Sequence, residues 1–556
     1  MKFAFLLFAI SCQFAFVSYA QLTDEQHQKI DSLFIGWNQP NHPGGVVGIQ
    51  QNGKVVFQKA YGLASLEYLV PNTTGTQFNT ASVSKQFTAM GIVLLHQEGK
   101  LSVDDDIHKY VPELPDFGHT ITIRHMLHHT SGLRSLHALL GLAGWRGDDL
   151  RTNEDLYRLM EQQRDLNFTP GDEYLYCNTG FMYMAKIIET VTGEKFTDWM
   201  QQSIFTPLGM TDTYIEDQYN RVVPQNATSY YSSADEGFTR AVEYWDYVGS
   251  GNMHSTARDL LTWLSNFDNP SVGWEEHFAM LQTLDNFNDG TPNPYGFGIG
   301  TGSFHGKRLV SHGGSIGGFR ANVIAFPEEE LSIVILTNFS SANPGQKTRK
   351  VAGILLGTEE IETTTNSSAE AIQLPKKALA KYEGDYWNDR EKYSRKIYLK
   401  NDTLRYSRSE SNENALVPVG KSEFAMLGVP NDLKIRFEEM ENVMTMSVAA
   451  ENESPSSFYR YEATEPTPDE LKSYVGTFYS PELQTSYKIA MEGEELAAHH
   501  PRHGKLPMER VKKDVLEGEW PLDVVEYQRD DSGNIAGIRV SNGRVRNLWL
   551  EKQELP

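Results

Sequence analysis

The sequence predicts an α/β architecture: an antiparallel sheet flanked by helices and interrupted by a helical region, followed by two small antiparallel β-barrels. Three observations carry this reading. Hairpin patterns stand at both ends of residues 21–360, the sequence between them has mainly helical and loop character, and residues beyond 375 carry a weak internal repeat of short alternating segments.

The first hairpin runs Val46-Val47-Gly48-Ile49, Asn52-Gly53, Val55-Val56-Phe57. Asn-Gly suits the positive φ of a tight two-residue turn. Next, apolar residues at 83, 87, 90 and 94 give helical spacing from Ser82 to about Gly99. Far downstream, Asn322–Phe326 faces Leu331–Ile335 across Pro327 and a run of glutamates, so strands from both ends of this region are expected in one sheet. Glu359 to Ser368 is rich in Glu, Thr and Ser and reads as part of a linker at 361–374. Leu379, Tyr382, Gly384, Tyr386 and Leu404 recur as Leu471, Tyr474, Gly476, Phe478 and Leu496, a constant offset of 92. Repeat copies share a fold, and each copy, 375–465 and 466–556, has room for roughly eight short strands, enough to close a small barrel.

Lys2, an apolar run from Phe3 to Val17 and the small residues of Ser18-Tyr19-Ala20 read as a cleaved export signal at 1–20, directing the chain to the periplasm or the medium. A retained anchor fits less well, because the run is short and carries Ser11 and Gln13; a lipoprotein reading at Cys12 fits poorly after Ala9. Signal removal leaves Cys177 as the lone cysteine, so no intramolecular disulfide forms and stability rests on packing. A mean hydropathy of −0.46 is too polar for a multi-span membrane protein. No stable membrane insertion is expected after cleavage. The formal net charge of −23 and the lack of a long basic tract argue against a nucleic-acid partner.

Ser82-Val83-Ser84-Lys85 puts a hydroxyl and an amine three residues apart at a helix start, where both fall on one face and can share a proton. The lysine serves as a base only if burial or neighbouring cations lower its pKa. Alone, S-x-x-K is a pattern that chance supplies often. Further motifs follow in order: Tyr176-Cys177-Asn178 as Y-x-N, and His312-Gly313-Gly314 as H-x-G. With Ile123–Leu127, His129–Leu133 and Ser255–Leu260 they make residues 21 to about 345 resemble the serine β-lactamase and penicillin-binding-protein family, whose relatives include class C β-lactamases, DD-peptidases, D-aminopeptidases and esterases. The tandem barrels resemble, more vaguely, the lipocalin-like domains appended to D-aminopeptidases of that family.

This resemblance implies a serine β-lactamase-like domain at 21–360 that works without a cofactor. Ser82 would be the acylated nucleophile. Lys85 would be its proton acceptor, or would keep Tyr176 deprotonated, the phenol being pulled down by the nearby ammonium; the base is left open between them. Asn178 would donate to the substrate amide and to Lys85. The backbone N–H groups of Ser82 and Ser315, the latter just after Gly314, would form the oxyanion hole. His312 in place of the lysine of K-T-G offers less positive charge, which counts against efficient β-lactamase action. The implied substrate is a small peptide, amide or ester: D-residue peptides first, carboxylic esters next, β-lactams third. Barrels that close over the site would restrict it to short substrates.

Gly313-Gly314-Ser315-Ile316-Gly317 also fits the G-x-S-x-G elbow of α/β hydrolases, but glycine and a strand follow where a helix is required. His125, His128 and His129, and again His499, His500 and His503, cluster without an acidic ligand in a known metal pattern, so no metal is expected. Cys177 reads as a packing residue. A catalytically silent ligand-binding scaffold is the alternative of a different class, and the intact Ser82, Lys85 and Tyr176 argue against it.

Overall fold

Asn52 and Gly53 both take positive φ, 50° and 72°, in the computed structural model, and their turn joins β1 (Gly45–Gln51) to β2 (Lys54–Tyr61). The described residues are 22–358, except 234 and 236, and 371–554, except 410–411, 430–432, 450–454 and 464–465. The segment read as an export signal and the Glu/Thr/Ser-rich stretch lie outside them.

The sheet is completed by β3 (Gly300–Phe304), β4 (Lys307–Ile316), β5 (Phe319–Phe326) and β6 (Leu331–Thr337), in the order β3-β4-β5-β6-β1-β2. Antiparallel pairing of Gly45 with Thr337 and of Ile49 with Ile333 closes the two ends of the region onto each other, as the hairpins predict. Every residue of β6 is buried, so both faces of the sheet are covered. The alternation along a strand sorts its residues: Val47, Ile49, Ile333 and Ile335 pack with Ile30, Phe34 and Val351 on one face, whereas Val46, Val334 and Leu336 join the larger core on the other. Each fully buried aliphatic side chain contributes about 1.5–3 kcal/mol of transfer free energy.

The outer face is covered by terminal helices, α1 (Asp24–Ser32) and α5 (Pro344–Leu356). Thr23 and Gln26 form a capping box on α1, and Pro344 in the first turn with Gly357 at φ +66° bounds α5. On the inner face α4 (Ala257–Leu264) packs on β1, β5 and β6, and α2 (Lys85–Gln97) and α3 (Asn178–Thr192) pack against each other in the same core. Val83, Phe87 and Met90 are buried, so the predicted helical stripe is real, but α2 is buried nearly all round and runs through the core.

Two closed eight-stranded antiparallel barrels follow, Gly384–Tyr461 and Gly476–Gln553. The matched repeat positions occupy equivalent places: Tyr386 and Phe478 lie in the first strands, Leu404 and Leu496 in the third. The second barrel is bonded to the helix Leu136–Leu142 and its surroundings. Arg134 Nη1 donates to Glu482 Oε2 at 2.6 Å, both side chains buried, and Tyr487 donates to the Leu142 carbonyl at 2.8 Å. Among the described residues no helix is long and apolar enough to cross a membrane.

Candidate active site

Ser82 stands in a short 3-10 turn, Ala81–Ser84, that runs directly into α2. This corrects the expectation of a plain α-helical start. Ala81 is in the left-handed region at φ +51°, which costs a non-glycine residue about 1–2 kcal/mol. The surroundings hold it there: Asn79 Oδ1 accepts from the Ala81 N–H at 2.9 Å, and the amide and hydroxyl of Thr80 both donate to the Met253 carbonyl. Lys85, at the first position of α2, is fully buried. Its Nζ lies 3.2 Å from Ser82 Oγ and donates to the Ser250 carbonyl at 2.6 Å. Burial, reinforced by the nearby Arg544 charge, holds the amine well below its ordinary range.

Tyr176 and Asn178 flank the start of α3. The Tyr176 ring has Lys85 Nζ 4.9 Å from its centroid, yet burial pushes the phenol up, and contact with the Ser82 hydroxyl offsets this only in part. The expected depressed tyrosine is therefore corrected: desolvation outweighs the lowering contributions of the Ser82 contact and the Arg544 charge, and of Tyr176 and Lys85 it is the lysine whose pKa is lowered. The expected bond from Asn178 to Lys85 is also absent among the described residues, since the Ser250 carbonyl takes that place. The Asn178 backbone N–H donates to Ser135 Oγ at 3.2 Å, and its buried side-chain oxygen makes no bond to a described residue.

His312 lies in β4. Its Nδ1 is 2.7 Å from the Gly313 carbonyl, which can only accept. Nδ1 thus carries the proton and Nε2 accepts from the Tyr295 hydroxyl at 2.9 Å. Burial, with Lys85 close by, takes His312 down to about 4, so the ring is neutral at physiological pH. Gly314 is required by close approach: a Cβ there would sit 2.1 Å from the Thr80 carbonyl oxygen. Strand β3 pairs with β4 only as far as Ser311, whereas β5 follows β4 to Ile316. One edge of 312–316 is left open beside the Ser82 turn, with Ser315 exposed on it. This is an arrangement able to offer backbone N–H groups to an oxyanion.

Ser82, Tyr176, Asn178, His312, Gly314 and Ser315 all line one cavity of about 810 Å³, with the Lys85 amine reaching Ser82 from behind. Four contributors were not anticipated. His129, at φ +58°, lays its ring 4.3 Å from that of Tyr176 and accepts from the Cys177 N–H. Tyr295 fixes His312, and Ser250 holds Lys85. Arg544, from the loop between the last two strands of the second barrel, enters the same cavity with its guanidinium 4.8 Å from the centroid of the Tyr176 ring. His129 opens the His129–Leu133 stretch that carries part of the family resemblance, whereas no periodicity or motif marks the other three, each of which acts through a contact distant in sequence.

The rival patterns are used otherwise. Gly313–Gly317 lies in β4 and its hairpin to β5, so no helix follows Ser315. His125 Nδ1 accepts from the Thr122 N–H, while His128 bonds the Tyr295 carbonyl. In the other cluster, His499 pairs with Glu492, His500 bonds Thr485 and His503 bonds the Gly141 carbonyl. Cys177 is buried with Sγ 3.3 Å from the Leu133 carbonyl, and burial raises its thiol pKa.

A sheet with helices on both faces, and a hydroxyl, a buried amine and a neutral imidazole meeting in one cavity, define the serine β-lactamase and penicillin-binding-protein class. Residues 23–357 match the Beta-lactamase family, and the chain belongs to it. It is 30% identical over 302 residues to a D-aminopeptidase of Gluconobacter oxydans, covering 54% of this chain and 56% of that protein. A second, from Brucella anthropi, is 30% identical over 329 residues, covering 58% and 61%. These two alignments thus span little more than half of the relatives' length. A D-aminopeptidase of Cereibacter sphaeroides aligns over 95% of this chain and 97% of its own at 26% identity. Among solved structures, the octameric penicillin-binding protein homologue from Pyrococcus abyssi shares the fold at TM-score 0.54 and 23% identity, covering 78% of this chain and 99% of that one. The D-amino acid amidase from Ochrobactrum anthropi SV3 does so at 0.51 and 22%, covering 60% and 99%.

Proposed function

We propose that the chain is an exported serine hydrolase that works through a Ser82 acyl-enzyme and cleaves amide bonds in D-residue-containing peptides. The observation that carries this reading is the 3.2 Å approach of the buried, pKa-lowered Lys85 amine to Ser82 Oγ. Neutral Lys85 takes the hydroxyl proton as Oγ bonds to the substrate carbonyl carbon, and the Ser82 and Ser315 N–H groups hold the resulting oxyanion. The C–N bond then breaks and the proton passes to the departing amine. Water attacks the ester in turn, giving its proton back through Lys85, and the freed acid leaves with Ser82 restored. Tyr176, neutral because its pKa is raised, can relay a proton without bearing charge.

The D-residue preference draws on the relatives named D-aminopeptidase and the solved D-amino acid amidase. Export draws on residues 1–20. The test compares wild type with Ser82→Ala on N-acetyl-D-alanyl-D-alanine, its all-L enantiomer, p-nitrophenyl acetate and nitrocefin. Faster cleavage of the D,D peptide than of the L,L peptide by wild type, absent in Ser82→Ala, is expected. Equal rates for the two proteins would return the silent scaffold, and turnover confined to the ester or to nitrocefin would replace the substrate class.

A further inference from the structure

Although the chain has 73 acidic against 50 basic residues, no described residue lining the Ser82 cavity is Asp or Glu, whereas Arg320 and Arg544 both line it. Glu243 packs against Gly317 without joining the cavity wall. The two arginines differ. Arg320 spends Nη1 on the carbonyls of Gly317 and Phe319, within its own hairpin. Arg544 is exposed, and among the described residues no carboxylate forms an ion pair with it.

The backbone beneath Arg544 is fixed to the catalytic domain. Its carbonyl accepts from the Ser135 N–H at 3.2 Å and from Asn167 Nδ2 at 3.1 Å. Two residues on, Arg546 is buried, its N–H donating to Asn167 Oδ1 and its guanidinium pairing with Glu173 at 2.7 Å. Gly543, at φ +65°, makes the turn that presents Arg544. A guanidinium set on a fixed loop, over an aromatic face and at the mouth of a cavity, loses little freedom on binding and presents forked donors that match a carboxylate.

We propose that Arg544 is the receptor for a substrate carboxylate, so that the site takes D-residue peptides or amides bearing a free carboxylate and disfavours those presenting a free α-ammonium. An ammonium in this cavity would meet Arg544 and Arg320 with no lining carboxylate to balance it. The second barrel therefore supplies a specificity-determining side chain that the catalytic domain lacks. This inference rests on the acyl-transfer reading for its turnover readout, but the binding it assigns does not require turnover.

The test compares N-acetyl-D-alanyl-D-alanine, an anion, with D-alanyl-D-alaninamide, a cation, on wild type, R544Q, R544E and R544K. A general loss of activity cancels in the ratio of the two kcat/KM values. That ratio should favour the anion by at least about tenfold in wild type, fall by about tenfold or more in R544Q, invert in R544E and be largely kept in R544K. Calorimetry of the same two compounds on Ser82→Ala, with and without R544Q, reads the preference in the absence of chemistry. Anion binding that depends on Arg544 but is followed by no Ser82-dependent hydrolysis would uphold this inference and sink the acyl-enzyme reading. Ser82-dependent hydrolysis with a ratio indifferent to R544Q and R544E, or a wild type that prefers the cation, would overturn the inference and leave the acyl-enzyme reading standing.

Discussion

Lys85 Nζ lies 3.2 Å from Ser82 Oγ and is otherwise held by the Ser250 carbonyl at 2.6 Å. Lys85 is fully buried, and that desolvation, reinforced by the nearby Arg544 charge, holds the amine well below its ordinary range. Lys85→Ala should lower kcat/KM by about a thousandfold or more while leaving Tm equal or higher, since a buried amine is a stability cost. Because the base works unprotonated, activity is present above the lowered Lys85 pKa and is lost as pH falls through it. A pH–rate profile should place that acid limb far below the ordinary lysine value of 10.5.

His312 gives a separate pH dependence, in stability. Its pKa is about 4 in the fold against 6.5 when unperturbed. Between those values the unfolded chain binds the extra proton, so stability is full above pH 6.5 and is lost as pH falls toward 4. The contribution is up to ~3 kcal/mol. Thermal melts from pH 7 to pH 4.5 should show a smaller acid loss in His312→Asn than in wild type.

Gly314→Ala places a methyl group 2.1 Å from the Thr80 carbonyl oxygen. Either β4 or the turn carrying Ser82 must shift, and misplacing an oxyanion donor costs about a hundredfold. The expected result is a fall in kcat of that order for an ester substrate, with a folded circular dichroism spectrum.

The legible part of this molecule is what short spacing encodes. Asn52-Gly53 specifies its turn, the offset between Leu379 and Leu471 specifies a duplicated barrel, and the three motifs bring Ser82, Tyr176 and His312 to one cavity. What stayed hidden was decided by burial and by distant partners. The direction of the Tyr176 shift depends on how far the ring is desolvated, and the second bond of Lys85 goes to a backbone carbonyl whose residue type is irrelevant. Arg544 reaches the cavity only because Glu482, Tyr487 and Arg546 seat the second barrel on the catalytic domain. Nothing in its local sequence, Asn542-Gly543-Arg544, distinguishes it from an ordinary hairpin turn.

That seating is testable through Arg134 and Glu482, a buried pair at 2.6 Å. Glu482→Ala leaves Arg134 charged and unpaired, a loss of about 3–5 kcal/mol, whereas Arg134→Met with Glu482→Leu should recover most of it. Denaturant melts of the single and double variants measure the difference.

The central claim is that Ser82 is acylated with Lys85 as its base. Intact-mass and peptide-mapping spectrometry after exposure to a fluorophosphonate probe tests it most directly. One adduct on the Ser82 peptide, absent in Ser82→Ala and formed much more slowly in Lys85→Ala, is the predicted result. An adduct on another residue, or labelling that persists in Ser82→Ala, would contradict the account.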